Sequence, residues 1–168
     1  INSDLANDLG NLSQRVLSQI FRNLEGKIPA LPKQPSQDDT ALLKMLSQLP
    51  DSLRDQIDNQ SFHEALRLIW AVIAEANRYV DKQAPWALKK TDMSRMSDVL
   101  GVLVEVIRGV SLLTQPFMPD ASAKLLDQIK VNPDERQFTS LKDMNSLAGR
   151  NIDKPEGVFP RYQLSEDA

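Results

Sequence analysis

Apolar residues recur at steps of three and four along the first two dozen positions: Leu5, Leu9, Leu12, Val16, Ile20 and Leu24. That period is one stripe of an α-helix and predicts a first helix over residues 2–24. Gly26, Pro29, Pro32 and Pro35 then break the pattern, since neither residue type sustains a helix interior. A second helix is expected to start near Asp38, Asp39 and Thr40, whose side chains suit a cap, and to bury Leu42, Leu43, Met45, Leu46 and Leu49. Pro50 should kink or restart it, with Leu53 and Ile57 continuing the stripe. Ser61, followed three residues on by Glu64, has capping-box spacing for a third helix carrying Phe62, Ala65, Leu66, Ile69, Val72, Ile73, Ala76 and Val80, which Pro85 should end. A fourth covers about 94–114, with Ser94 as its cap and Met96, Val99, Leu100, Leu103, Val106, Ile107, Val110 and Leu113 on its stripe. Pro116 and Pro119 stop it, and a short fifth follows from Asp120 to Ile129.

Residues 131–168 are less periodic; loops, a short helix near 139–147 and an extended end at "GVFPRYQ" are expected there. Strand signals are nearly absent. The pattern therefore predicts an all-α fold, a bundle of four to five helices with a partly irregular tail. Residues 1–130 should form the bundle, and residues 131–168 a tail packing back along it within the same domain.

Composition narrows the chemistry. At 168 residues the chain fits one domain with a core that needs no staples. Absence of cysteine removes disulfides, thiolate zinc sites and cysteine nucleophiles, and a single histidine, His63, cannot build a two-His metal site or relay. The net charge of −3 argues against bulk binding of duplex nucleic acid through phosphates; DNA is not an expected partner, and any RNA contact must be local and base-directed. No apolar run is long enough for a membrane span. The opening "INSDLANDLGNL" has no initiator Met and no signal-peptide layout, and reads as an excerpt of a longer protein. No catalytic constellation is visible. "DMSRMS" at 92–97 loosely echoes the lysine-and-serine ATP loop of class I aminoacyl-tRNA synthetases but lacks its lysines, so a helix N-terminus is the better reading.

Two features stand out. Asn7, Asn11 and Arg15 are four residues apart and so drift by only about 40° per step around a helix, opposite the leucine stripe; Ser18 and Arg22 extend the row. Asn is a poor helix former, and Asn and Arg are the side chains that pair with base edges; an ordinary wet face is the alternative. The second is Trp86, directly behind Pro85 in "NRYVDKQAPW". Core filler, partner anchor and stacking platform are all open to it. Arg78, Lys82, Lys89, Lys90 and Arg95 stand near it in sequence, against Asp81 and Asp92, which suggests a locally basic corner, and an aromatic with a few cations suits single-stranded RNA.

Those residues also carry a resemblance. "SDLANDLGNLSQR" at 3–15 is similar to the start of the anticodon-binding bundle of class I aminoacyl-tRNA synthetases, and "NRYVDKQAPW" at 77–86 resembles the signature of the methionyl-tRNA synthetase family. "LLTQPFMPDASAKL" at 112–125 and "GVFPRYQ" at 157–163 fit the same family in order. The resemblance implies that Trp86 stacks on the first base of a CAU anticodon, that Asn11 and Arg15 read that cytosine, that Asn7 faces the anticodon, and that Asp81 and Pro85 neighbour the next bases. It implies methionine tRNA and the parent's own catalytic domain as partners, a cytoplasmic ATP-dependent methionine–tRNA ligase as the parent, and no catalytic residue or cofactor in this stretch. ATP with magnesium, and zinc where the family carries it, would belong upstream. The alternatives are the anticodon domain of a leucyl, valyl or isoleucyl relative, and a helical scaffold that docks a protein.

Overall fold

The computed structural model describes residues 8–159. Six α-helices occur among them: α1 (Asn11–Asn23), α2 (Gln37–Asp58), α3 (Phe62–Gln83), α4 (Pro85–Thr91), α5 (Met93–Thr114) and α6 (Pro119–Gln128). Two 3-10 turns follow, Pro133–Glu135 and Phe138–Lys142. One isolated bridge, Lys27 to Asn151, is the sole extended pairing among the described residues. The fold is an all-α bundle.

α5 is its axis. Every residue from Val99 to Thr114 is buried, because α1, α2, α3, α4, α6 and the second 3-10 turn all pack on it. The few polar residues of that stretch, Glu105, Arg108, Ser111 and Thr114, are buried along with the apolar ones. Two glycines let neighbours come close: a Cβ on Gly101 would meet the Ala30 carbonyl oxygen at 2.4 Å, and one on Gly109 would meet Leu46 Cδ1 at 2.7 Å. The outer helices each bury one stripe: Leu12, Val16, Leu17 and Ile20 on α1, Leu42, Leu46, Leu49 and Leu53 on α2, and Ala65, Ile69, Val72, Ile73, Ala76 and Val80 on α3. Of the positions expected on these stripes, Ile57 and Phe62 are instead exposed, at the end of α2 and the start of α3. Trp70 packs half-buried against the core, and His63 is exposed in the first turn of α3.

Several local expectations need correction. The N-cap of α2 is Ser36, not the Asp38–Thr40 cluster; Ser36 and Asp39 form a reciprocal capping box. Pro50 lies inside α2 without breaking it. Ser61 precedes α3, but its side chain makes no cap bond. Asp92, not Ser94, caps α5, accepting from the Arg95 amide. Pro85 does not simply terminate α3: it takes the first position of α4, where its missing N–H leaves no bond unmade. The helix expected near 139–147 is a 3-10 turn over Phe138–Lys142 followed by hydrogen-bonded turns. The start of the first helix and most of "GVFPRYQ" lie outside the described residues.

Residues 131–159 run back over the bundle. Ile28 N–H donates to the Arg150 carbonyl, Gly149 N–H to the Ile28 carbonyl and Ile152 N–H to the Gly26 carbonyl, each at 2.8 Å. Gly26 has φ +74°, and a Cβ there would lie 2.8 Å from the Ile152 oxygen, so the α1–α2 turn and the returning segment meet on a glycine. The fully buried Arg108 reaches the same segment, donating to the Ser140 carbonyl at 2.9 Å.

Candidate nucleic-acid interface

The "NRYVDKQAPW" stretch forms the last two turns of α3 and the first residues of α4, and its members face different ways. Asn77 donates to the Asp8 carbonyl at 3.3 Å and ties α3 to the chain entering α1. Tyr79 is buried and donates to Asp39 Oδ1 at 2.7 Å. Asp81 accepts from Arg15 Nη2 at 2.8 Å, which crosses to α1. Ala84 is left-handed (φ 45°, ψ 62°) and closes α3 while opening α4, a conformation a residue with a Cβ enters at a cost of about 1–2 kcal/mol. The sharp turn seats Pro85 in the protein and leaves Trp86 at the surface, 44% exposed.

Arg15 is what joins α1 to this corner. Its guanidinium lies over the Trp86 ring at 5.2 Å from the centroid while paired with Asp81. Beside them opens a cleft of about 260 Å³ lined by Arg15, Ser18, Gln19, Arg22, Pro85 and Trp86, with Val16, Val80 and Leu100 at its apolar base. The structure thus brings Arg15, Asp81, Pro85 and Trp86 together. Asn11 is exposed one turn before Arg15 on α1. Asn7 lies outside the described residues.

The basic corner read from the sequence is corrected. Arg95 faces inward: its side chain is 22% exposed and pairs with the buried Asp39. Arg78 pairs with Glu75, and Lys82 with Asp38. Acidic residues neutralise three of the five cations: Glu75 from one turn earlier on the same helix, and Asp38 and Asp39 from α2, far away along the chain. Lys89 and Lys90, exposed in the last turn of α4, make no ion pair among the described residues. The interface is therefore mild in charge and rich in amide, hydroxyl and indole groups.

Behind it sits a network that the sequence did not suggest. Arg95 donates to both Asp39 oxygens at 2.7 Å and to Gln83 Oε1 at 2.9 Å, and Gln83 Nε2 donates to Asp38 at 2.9 Å. Burial alone would raise the Asp39 carboxyl; hydrogen bonds from Arg95, Tyr79 and Ser36 hold it instead far below the usual carboxylate range. Burial, then the bond to Asp39, pushes the Tyr79 hydroxyl far above its ordinary value. The bond to Asp39 raises Arg95 against its burial. Asp98 is raised, mainly by burial. Asp39 was visible only as a cap candidate, and three helices had to be placed before its partners could be seen. Among the described residues no cluster of His, Asp or Glu could hold a metal, and no helix is long and apolar enough to cross a membrane.

Comparison with known proteins identifies the family. The family described as the anticodon binding domain of methionyl tRNA ligase matches residues 28–167. A methionine–tRNA ligase of Brucella suis is 48% identical over 166 residues, which is 99% of this chain and 32% of that protein. One from Rhizobium meliloti is 46% identical over 167 residues, 99% of this chain and 32% of the other. Among solved structures, the apo form of Mycobacterium tuberculosis methionyl-tRNA synthetase superposes with a TM-score of 0.92 at 39% identity, covering 97% of this chain and 33% of that one. The same enzyme bound by methionyl-adenylate gives 0.91 at 38% identity, over 95% and 32%. This chain spans about a third of the length of such relatives. It belongs to the family of anticodon-binding domains of methionyl-tRNA ligases.

Proposed function

We propose that this domain reads the CAU anticodon of methionine tRNA, with Trp86 as the stacking platform for the cytosine and Asn11 and Arg15 as readers of its edge. The observation that carries the reading is Arg15 held over an exposed Trp86 and beside Asp81: a flat apolar surface and a planar donor already share one corner. A stacked base gains roughly 1–3 kcal/mol from such a platform. Arg and Asn donors suit the O2 and N3 acceptors of cytosine, and an Asn carbonyl suits its N4 donor. Asn7 would continue the row, while Asp81 and Pro85 border the adjoining bases. Residues 1–130 are taken as the recognition bundle and 131–168 as its tail within one domain.

The parent protein is then a class I, ATP-dependent methionine–tRNA ligase working in the cytoplasm. Its ATP, magnesium and any zinc would bind in its catalytic part, and this domain alone would activate no amino acid. The domain's share of the reaction is selection: only a tRNA whose unpaired bases fit the Trp86 corner is held.

The test is a titration with RNA stem-loops. Trp86→Ala should weaken a CAU stem-loop by roughly 1–3 kcal/mol with the helical circular dichroism unchanged. Replacing the cytosine should cost more than altering a stem pair. Equal affinity for all loops, or no effect of Trp86→Ala, would instead support a protein-docking scaffold.

A further inference from the structure

We infer that Gln83 and Arg95 form a clasp that positions Trp86 for RNA, acting through the turn that carries the ring. The inference rests on the anticodon reading above and adds to it two residues that touch no base.

The argument starts from connectivity. Trp86 belongs to a short excursion between two long helices: α3 ends at Gln83, α4 spans Pro85–Thr91, and α5 begins at Met93. Seven residues of helix are marginal alone, so α4 holds its place through its ends and its packing. Its entry is one left-handed residue, Ala84, a conformation that persists only where the surroundings enforce it. Its exit is Asp92, whose carboxylate accepts the Arg95 amide at 2.9 Å.

The two ends are bound to each other. Arg95 Nη2, from the first turn of α5, donates to Gln83 Oε1 at 2.9 Å. Gln83 is the residue before Ala84 and three before Trp86, so this bond closes the excursion at its base. The clasp is anchored in turn to α2: Gln83 Nε2 reaches Asp38 at 2.9 Å, and Arg95 grips both oxygens of Asp39. Asp39 is fully buried, with Tyr79 of α3 as a further donor. Arg95 also reaches Ser36 Oγ at 3.3 Å. A planar guanidinium with several fixed donors can serve all these acceptors at once; an ammonium cannot.

The network therefore looks both ways. Toward the core it neutralises Asp39. Toward the surface its outer member, Gln83, fixes the angle at which α4 leaves α3, and hence where the indole lies relative to Arg15. Gln83 can be altered without touching the Asp39–Arg95 pair, which separates the two roles.

The experiment uses the full-length protein and a CAU stem-loop RNA. Gln83→Met keeps the volume and removes both bonds; Arg95→Lys keeps the charge opposite Asp39 and removes the fork. Each should weaken the stem-loop about tenfold, within the range a lost stacking platform permits, with the melting transition still cooperative. In a Trp86→Ala background the same substitutions should change the affinity by less than about twofold, because there is no ring left to position. Independently of RNA, the Trp86 line in the ¹⁹F spectrum of fluorotryptophan-labelled protein, assigned by its loss in Trp86→Phe, should shift or broaden in Gln83→Met. Undiminished losses in the Trp86→Ala background would overturn the clasp. So would full affinity in Gln83→Met while Trp86→Ala is weak, or an unmoved Trp86 line. No effect of Trp86→Ala itself would sink the anticodon reading instead, and the ¹⁹F line would then decide the clasp alone.

Discussion

The guanidinium of Arg15 lies 5.2 Å above the centre of the Trp86 ring while its Nη2 is bonded to Asp81 at 2.8 Å. Both contacts are weak. An exposed cation–π pair contributes about 0.5–1 kcal/mol and an exposed ion pair about 0–1 kcal/mol. Base stacking on Trp is worth roughly 1–3 kcal/mol, as much as or more than either contact, so on the proposed reading an incoming base would replace Arg15 on the ring and leave its guanidinium to meet the base edge.

Arg15→Lys follows from this. The charge opposite Asp81 remains and the planar fork is lost. Unfolding free energy should change by less than about 1 kcal/mol. Discrimination between cytosine and uracil at the first anticodon position should shrink by about 1–3 kcal/mol. Parallel titrations of wild type and variant with the two stem-loops measure it; undiminished discrimination would remove Arg15 from the readout.

The long helices were legible because each carries an apolar stripe; that α5 is buried on every side from Val99 onward, Glu105 and Arg108 included, was not. What the sequence hid are the features made by residues far apart along the chain. Asp39, Tyr79 and Arg95 come from three helices, so the buried carboxylate read only as a cap candidate. Arg95 read as a surface cation for the same reason. α4 is too short to show a period, and its left-handed entry uses Ala84, where a glycine would have announced a turn. Trp86 was legible as conspicuous; its exposure was not, since that depends on how Pro85 seats the turn.

Acid should loosen the fold through carboxylates held in ionised form. Asp39 sits far below its ordinary value, and Glu135, bonded by Arg150, is lowered to about 2. Both folded-state values are depressed, so the unfolded chain binds more protons in the acid range, and stability rises with pH there. The contribution is complete above the ordinary carboxylate range, near 4 to 4.5, and declines as pH falls toward 2. Urea unfolding at steps from pH 7 to pH 2.5 should show this decline, and Asp39→Asn should flatten it while lowering stability at pH 7 by about 3–5 kcal/mol.

The two glycines of α5 should respond differently to alanine. A Cβ at Gly101 meets the Ala30 carbonyl oxygen at 2.4 Å, which is backbone, whereas one at Gly109 meets the end of the Leu46 side chain at 2.7 Å. Backbone must move as a unit, but a leucine can change rotamer. Gly101→Ala should cost about 2–3 kcal/mol or more. Gly109→Ala should cost less than about 1 kcal/mol, since alanine's helix propensity offsets part of the crowding. Melting temperatures of the two variants decide; equal losses would show that Leu46 cannot give way.

Arg108 and Glu105 form a buried pair, with side chains 2% and 4% exposed and Nη2 to Oε1 at 2.5 Å. Arg108 also donates to the Ser140 and Leu141 carbonyls, and Glu105 accepts the Asn145 amide at 3.3 Å. The pair thus fastens the returning segment to the bundle axis. Arg108→Met strands a buried carboxylate and should cost about 3–5 kcal/mol. Removing both charges, in Arg108→Met with Glu105→Leu, should recover much of that loss, because the stranded charge is gone. It should not recover all of it, because the carbonyls of residues 140 and 141 and the amide of residue 145 remain without their partners. Amide exchange around residues 138–145 should therefore stay fast in the double variant while the rest of α5 regains protection. A double variant as unstable as the single one would mean that packing volume, not the unpaired charge, sets the cost.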